Sequence, residues 1–316
     1  MSAPRVSVLI PTYRYAGYLR EALDSVVAQD FADFEVIVSD DCSGDGSAEI
    51  LREYAARDSR IRAHMQPANI GMVRNWNWCL ARARGEFVQY VFGDDMLAQP
   101  AALGKMVALL DAHPEAALAA SARNVIDEKS RVVGTRSHLG APGLHASANT
   151  ALRCLVEGNI IGEPSAVMFR RSAAARGFSE SYAQLVDLEM WLHLLGHGPL
   201  VFTPEPLCSF RRHPLQQTEA NRETGVHNSE ILRLVLDYGQ SPMLAGCDTR
   251  GVAFYRLYRS RRFGRSDPAV AAAREQLMSR LGRSAYCARW LWKKIANPFA
   301  AILRRARQRR SPPASR

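Results

Sequence analysis

The chain has 316 residues, enough for one large α/β domain with an appendage or for two modest domains, each with a substantial core. A hydrophobic share of 47% and a charged share of 23% exclude a fibrous or wholly disordered chain. The net charge of +10 is unevenly spread: residues 255–316 carry 17 Lys or Arg against Asp267 and Glu275, whereas the first 254 carry 24 basic and 29 acidic residues.

Val6 to Ile10 is a β-branched apolar run that predicts a strand, and apolar residues at helical spacing from Tyr18 to Ala28 predict a helix. A second strand, Phe34 to Ser39, stops at Asp40-Asp41, and a Gly/Ser/Asp loop leads to a helix over 48–57. The alternation continues with a strand at 61–65, a helix at 72–83, a strand at 87–92 running into Gly93-Asp94-Asp95, a helix at 100–113 and a strand at 116–121. Such βα alternation predicts an α/β fold built on a doubly wound, mostly parallel sheet flanked by helices.

Residues 123–160 are less periodic, with Gly and Pro at 140–143, and read as a loop-rich crossing. A strand at 165–169, a helix at 186–196 and a strand at 200–203 follow, and beyond about 225 the chain reads as helical and basic. Six widely spaced cysteines without Cys-x-x-Cys pairs fit a reduced, cytosolic compartment. The first strand begins too early to leave room for a secretory signal, and there is no apolar run of about 20 residues to span a membrane.

In an open parallel sheet, ligands bind beyond the carboxyl ends of the strands. Three such places carry suggestive side chains: Pro11-Thr12-Tyr13, Asp40-Asp41 and Asp94-Asp95. A lone Asp there is commonly a helix cap or turn residue. Recurrence at one sheet edge instead suits a hard divalent cation, Mn2+ or Mg2+, which takes oxygen ligands and completes its shell with substrate phosphates and water.

The segments Val6-Ser-Val-Leu-Ile-Pro-Thr-Tyr13, Val36-Ile-Val-Ser-Asp-Asp-Cys-Ser-Gly-Asp-Gly-Ser47, Asn69-x-Gly71 with Arg74-Asn75, Ala83-Arg-Gly-Glu-Phe-Val-Gln-Tyr-Val-Phe-Gly-Asp-Asp95, Glu163-Pro-Ser165, Val186-Asp-Leu-Glu-Met-Trp191 and Arg211-Arg-His213 occur in order. Together they resemble the family 2 glycosyltransferases of GT-A fold over residues 4–215. The resemblance implies an inverting transfer of sugar from a nucleotide diphosphate-sugar donor to an acceptor hydroxyl, a glycan or a lipid-linked one.

Carried over by position, the resemblance places Pro11, Thr12 and Tyr13 at the base and ribose, Asp41 as an acceptor from the base with Asp40 beside it, and Arg74 near phosphates or base. Asp94 and Asp95 would serve ribose and metal, with Asp95 as the preferred ligand. The family's commoner Asp-x-Asp-Asp motif is shortened, because Phe92 stands at its first acidic position. Asp187 matches the general base, a role that needs a carboxylate able to take the acceptor's proton. Trp191 is either core or an acceptor-stacking platform. Arg211 and Arg212 would meet the diphosphate, and His213 would join the metal shell, bind a phosphate or be structural.

The reading divides the chain into a GT-A-like domain at 1–225, with a nucleotide-binding half at 1–121 and an acceptor-side half at 122–225, and a basic helical C-terminal extension at 226–316. A stripe of Leu291, Ile295, Phe299 and Ile302 amid Lys and Arg would either touch an anionic membrane at the cytoplasmic face or pack on the domain. No nucleic-acid recognition module accompanies the charge, so no nucleic acid is expected. A dehydrogenase or nucleotidyltransferase is disfavoured because Pro11-Thr12-Tyr13-Arg14 offers no Gly-rich phosphate cradle. The alternative from another class is a noncatalytic membrane-surface scaffold that retains a glycosyltransferase shell.

Overall fold

The computed structural model describes residues 3–214, 216, 226–260 and 268–282. Within them the chain forms strands β1 (Val6–Thr12), β2 (Phe34–Asp40), β3 (Ile61–Met65) and β4 (Phe87–Tyr90), joined by helices α1 (Ala16–Val27), α2 (Ser47–Arg57) and α3 (Met72–Leu80). A short β5 (Met96–Leu97), α4 (Ala102–Ala112) and β6 (Leu118–Ile126) follow. Then come β7 (Val132–Arg136), β8 (Gly143–His145), α5 (Ser147–Glu157), β9 (Val167–Arg170), α6 (Val186–Leu195), β10 (Leu200–Arg211), α7 (Val226–Tyr238), α8 (Thr249–Ser260) and α9 (Pro268–Leu281).

The sheet runs β3-β2-β1-β4-β9-β6-β10-β5, with β7 on β6 and β8 on β10. Parallel pairing joins β3, β2, β1 and β4, as right-handed βαβ crossovers require. Antiparallel β9 then bridges β4 to β6, so the acceptor-side half makes the sheet mixed. Strand alternation feeds two apolar layers. Val6, Val8 and Ile10 pack with α1, α2 and α4 on one face, while Leu9, Ile37, Val88 and Tyr90 pack with α3, α5 and α6 on the other.

Two segments differ from the sequence reading. The crossing expected to be loop-rich holds β7, β8 and helix α5, whose buried face is Thr150, Ala151, Cys154 and Leu155. The apolar spacing of α5 is helical but lasts only 11 residues behind the Gly and Pro of 140–143, which read as a loop. Strand β10 continues past Pro204 and Pro206 to Arg211, because register shifts on either side of Pro206 absorb the residues that cannot donate to the ladder. That extension delivers the Arg211–His213 segment to the sheet edge where β1, β2 and β4 end.

The sequence-based boundary near 225 falls outside the described residues, as does the Leu291–Ile302 stripe. The helices that follow are not a separate layer. Leu232, Val235, Phe254, Leu257, Val270 and Leu277 join the same apolar cluster as Trp191 and Leu188 of α6.

Candidate functional site

A cleft of about 1140 Å³ opens at the carboxyl ends of β1, β2 and β4. Of the expected residues, Pro11, Thr12, Tyr13, Asp41, Asp94, Asp95, Asp187 and Arg212 line it. The structure therefore brings residues 176 positions apart onto one surface, from Pro11 on β1 to Asp187 on α6.

On the donor side, the buried Asp41 carboxylate accepts the Ile70 and Gly71 N–H groups at 2.7 and 3.0 Å, which fixes the Asn69–Gly71 turn as one wall. Gly71 has φ +90°, a conformation that a side chain would strain. Two polar atoms on this wall, Thr12 Oγ1 and Asn75 Oδ1, are buried without a partner among the described residues. Buried polar atoms are normally paired, so these two are suited to an incoming base or ribose. Asp40 is placed otherwise: it accepts from the Ser43 N–H at 3.1 Å and from the Ser43 hydroxyl, bracing the turn behind Asp41, and does not line the cleft. Arg74 lies on the exposed side of α3, ion-paired to Glu180 at 2.9 Å and away from the cleft lining.

The β4 turn separates two adjacent carboxylates. Asp95 turns inward: the Ser165 hydroxyl donates to Oδ2 at 2.6 Å and the Arg211 N–H donates to Oδ1 at 3.0 Å. Burial, with the Asp94 carboxylate beside it, holds its carboxyl well above the usual range. These two bonds brace the turn and leave each Asp95 oxygen a further lone pair at the cleft lining, while Asp94 is the more open of the two carboxylates. Asp94 faces the cleft, with its Oδ2 3.1 Å from His213 Nε2. His213 is packed between Tyr15 and Tyr18, at ring distances of 5.6 and 5.0 Å.

This pair fits a divalent ion. Two neighbouring ligands on a six-coordinate ion with bonds of about 2.1 Å sit roughly 3 Å apart, and the carboxylate oxygen and imidazole nitrogen already have that spacing. Among the described residues no cluster of three His, Cys, Asp or Glu could hold an ion by itself. The remaining positions would then fall to diphosphate and water oxygens. Phe92, standing where the family's first acid would be, packs at a tilt against Trp76 at 4.7 Å and forms apolar cleft wall.

Arg211 is not available to a diphosphate. Fully buried, it donates from Nε to the Asp94 carbonyl at 2.8 Å, from Nη1 to the Asp127 carbonyl at 3.2 Å and Ser130 Oγ at 2.9 Å, and from Nη2 to Glu21 at 2.8 Å, over the Tyr18 ring. It ties the acidic turn to α1 and to the turn that follows β6. Arg211→Ala should cost about 2–4 kcal/mol, since one buried and three partly buried acceptors lose a charged donor; urea denaturation measures this. Arg212, the next residue, is exposed and on the cleft.

On the opposite wall, Asp187 occupies the first turn of α6. Its Oδ1 accepts the Leu188 N–H at 2.7 Å and its Oδ2 accepts Asn159 Nδ2 at 2.8 Å. Burial pushes its carboxyl up to about 7 against those bonds, and the Glu163 carboxylate adds in the same upward direction. One helical turn on, Trp191 is fully buried: its Nε1–H donates to the Gly162 carbonyl at 2.9 Å and its ring packs near Phe169. Trp191 is thus core, excluded from stacking on an acceptor because it lies under the 159–162 turn.

Sequence reasoning missed Asn159, Arg136, His227 and Asn228, all of which line the cleft as Glu163 does. Glu163-Pro-Ser165 was read as an acceptor-side element of the family, with no role for each residue; Glu163 pairs with buried Arg123, and Ser165 supports Asp95. Asn159 sits in the stretch read as loop, and His227 and Asn228 in the part read as an extension. No spacing signal marks them.

A family model described as glycosyl transferase family 2 matches residues 7–178. The chain is 34% identical over 228 residues to the uncharacterized protein MT1568 of Mycobacterium tuberculosis, covering 66% of this chain and 67% of that one. It is 30% identical over 200 residues to EpsE of Bacillus subtilis, a glycosyltransferase by name, covering 62% of this chain and 69% of EpsE. The chain spans 59 to 67% of the length of its mycobacterial relatives.

Among solved structures, TarS 1-349 of S. aureus in complex with UDP-GlcNAc superposes with a TM-score of 0.68 at 19% identity, covering 89% of this chain and 82% of that one. The mannosyltransferase PcManGT of Pyrobaculum calidifontis, in complex with GDP-Man and Mn2+, gives 0.56 at 17% identity, covering 96% and 87%. These two share the fold, an α/β architecture of GT-A type. With more than half its length matched by the family model, the chain belongs to glycosyl transferase family 2.

Proposed function

We propose that this protein is an inverting glycosyltransferase that moves a sugar from a nucleotide diphosphate-sugar to an acceptor hydroxyl in the assembly of a cell-envelope or extracellular polysaccharide. The observation that carries the reading is one cleft with the Asp41 turn and the Asp94–His213 pair on its donor side and Asp187 on its other wall.

In this mechanism Thr12, Asp41 and Asn75 receive the nucleoside. A divalent ion held by Asp94 and His213 would neutralise charge on the departing nucleoside diphosphate. Asp187 takes the proton from the acceptor hydroxyl as its oxygen attacks the anomeric carbon, and the bond from that carbon to the diphosphate oxygen breaks on the far side. A single displacement with inversion results. A carboxyl of pKa about 7 suits the task, since a base works best near the operating pH.

The glycosyltransferase name of EpsE and the UDP-GlcNAc bound to TarS support the nucleotide-sugar reading, and the Mn2+ of the mannosyltransferase supports the metal. No helix among the described residues is long and apolar enough to cross a membrane. A cytoplasmic enzyme whose basic C-terminal residues touch the anionic inner face of the membrane fits the charge distribution.

Calorimetry against UDP, GDP and dTDP, each with and without manganese, tests the donor site. One nucleotide should bind, and Asp41→Ala should weaken it about tenfold or more, as loss of a charge-assisted hydrogen bond does. Folded protein that binds none of the three would favour the noncatalytic scaffold.

A further inference from the structure

The segment just before the base-bearing helix, residues 183–185, lines the cleft and is held from outside the part matched by the family model. Glu230, on the second turn of α7, is buried at 6% exposure. Its Oε1 accepts the Ala183 N–H at 2.5 Å, and its Oε2 accepts the N–H groups of Gln184 and Leu185 at 3.0 and 2.8 Å. Three consecutive amides leading into the helix, the last of them on its capping residue Leu185, thus converge on one carboxylate two residues before Asp187. The Leu185 N–H, at the cap, has no partner within the helix, and the helix start favours an anion beside it. Here α7 supplies that anion from a distant part of the chain.

We infer that Glu230 is a positioning residue for the acceptor wall: it fixes the 183–185 turn, and through it the first turn of α6 with Asp187. Helix α7 also sends His227 and Asn228 to the cleft surface, so the C-terminal helices complete the site. The proposal rests on Asp187 being the base.

Other contacts hold the neighbouring residues independently of Glu230. Arg233 Nη1 donates to the Ser181 carbonyl at 3.0 Å, the Tyr182 hydroxyl donates to Asp237 at 2.6 Å, and the Tyr238 hydroxyl donates to Glu189 at 2.5 Å. Removing the Glu230 charge should therefore loosen the turn without detaching α7.

Glu230→Gln keeps the volume but offers only one acceptor oxygen and sets an NH2 group against backbone N–H donors. Hydrogen exchange read by mass spectrometry, together with steady-state kinetics on the full chain, is the test. Amides 183–188 should exchange about tenfold faster or more, as loss of a charge-assisted bond implies, with β1 and β4 unchanged. Turnover should fall by a similar factor while nucleotide affinity holds, since a displaced base affects the transition state and not donor binding.

Unchanged exchange overturns the inference, and so does faster exchange with undiminished turnover. If Glu230→Gln loosens the whole protein, Glu230→Asp decides: partial recovery of both readouts supports the inference, and none overturns it. A wild-type protein that transfers no sugar would sink the functional reading instead, while the exchange data would still show whether Glu230 holds the turn.

Discussion

Asp187→Asn is expected to lower sugar transfer by roughly 10³-fold while leaving nucleotide binding unchanged, because general-base catalysis is worth about 10²–10⁴. The wild-type rate should fall as pH drops through about 7, where the Asp187 carboxyl takes up its proton, and should level off above it. The stability effect has the opposite sense. Its folded pKa is raised above the unfolded value, so folding favours the protonated form, and the associated stability is present at low pH and lost as pH rises through about 7. Asp187→Asn, neutral at every pH, should therefore flatten that decline and be at least as stable as the wild type at pH 8. Thermal melts at pH 5 and pH 8 alongside the rate profile check both signs. Transfer that survives the substitution would remove the base from Asp187.

This opposition between activity and stability follows from where the carboxylate sits. Asn159 and the Leu188 N–H hold it in one orientation, and Trp191 and the Gly162 carbonyl support the turn from below. A half-buried carboxylate with few donors is a poor choice for stability and a good one for accepting a proton near neutral pH.

The parallel half of the fold was legible because β1, β2 and β4 are short, largely apolar runs and β3 alternates apolar and polar residues; β3 has the bounds that its sequence suggests, Ile61 to Met65. Strand β10 was half legible, since two prolines ordinarily end a strand and only the register shifts reveal that this one continues. Motif positions predicted which loops meet at the cleft, but not which way each side chain turns. Asp40 and Asp41 are neighbours with different roles, one bracing Ser43 and the other holding the Ile70 and Gly71 amides. Arg211 and Arg212 divide likewise into a buried brace and an exposed cleft residue. Direction in a turn depends on long-range partners such as Ser165 and Glu21, which no local pattern encodes. The α7 contribution was illegible for the same reason: Glu230 meets its amides across some 45 residues of chain.

The acidic turn gives the second large effect. Chelating divalent ions should abolish tight nucleoside diphosphate binding, and manganese should restore it better than magnesium, because an imidazole ligand suits manganese more than it suits magnesium. Asp94→Ala should remove most of the metal-dependent affinity, about 100-fold, and His213→Ala about tenfold, as ligand losses of 1.5–3 kcal/mol predict. Asp95→Ala should act differently. With both its oxygens bound to Ser165 and the Arg211 N–H, its loss should lower stability and weaken binding modestly while the metal requirement persists. Calorimetry of the three variants with and without manganese distinguishes the assignments. If Asp95→Ala abolishes the metal dependence and Asp94→Ala spares it, the turn must reorganise on binding so that Asp95 exchanges its protein partners for the ion. If neither does, the charge on the diphosphate must be met by cationic side chains, with Arg212 the first to substitute.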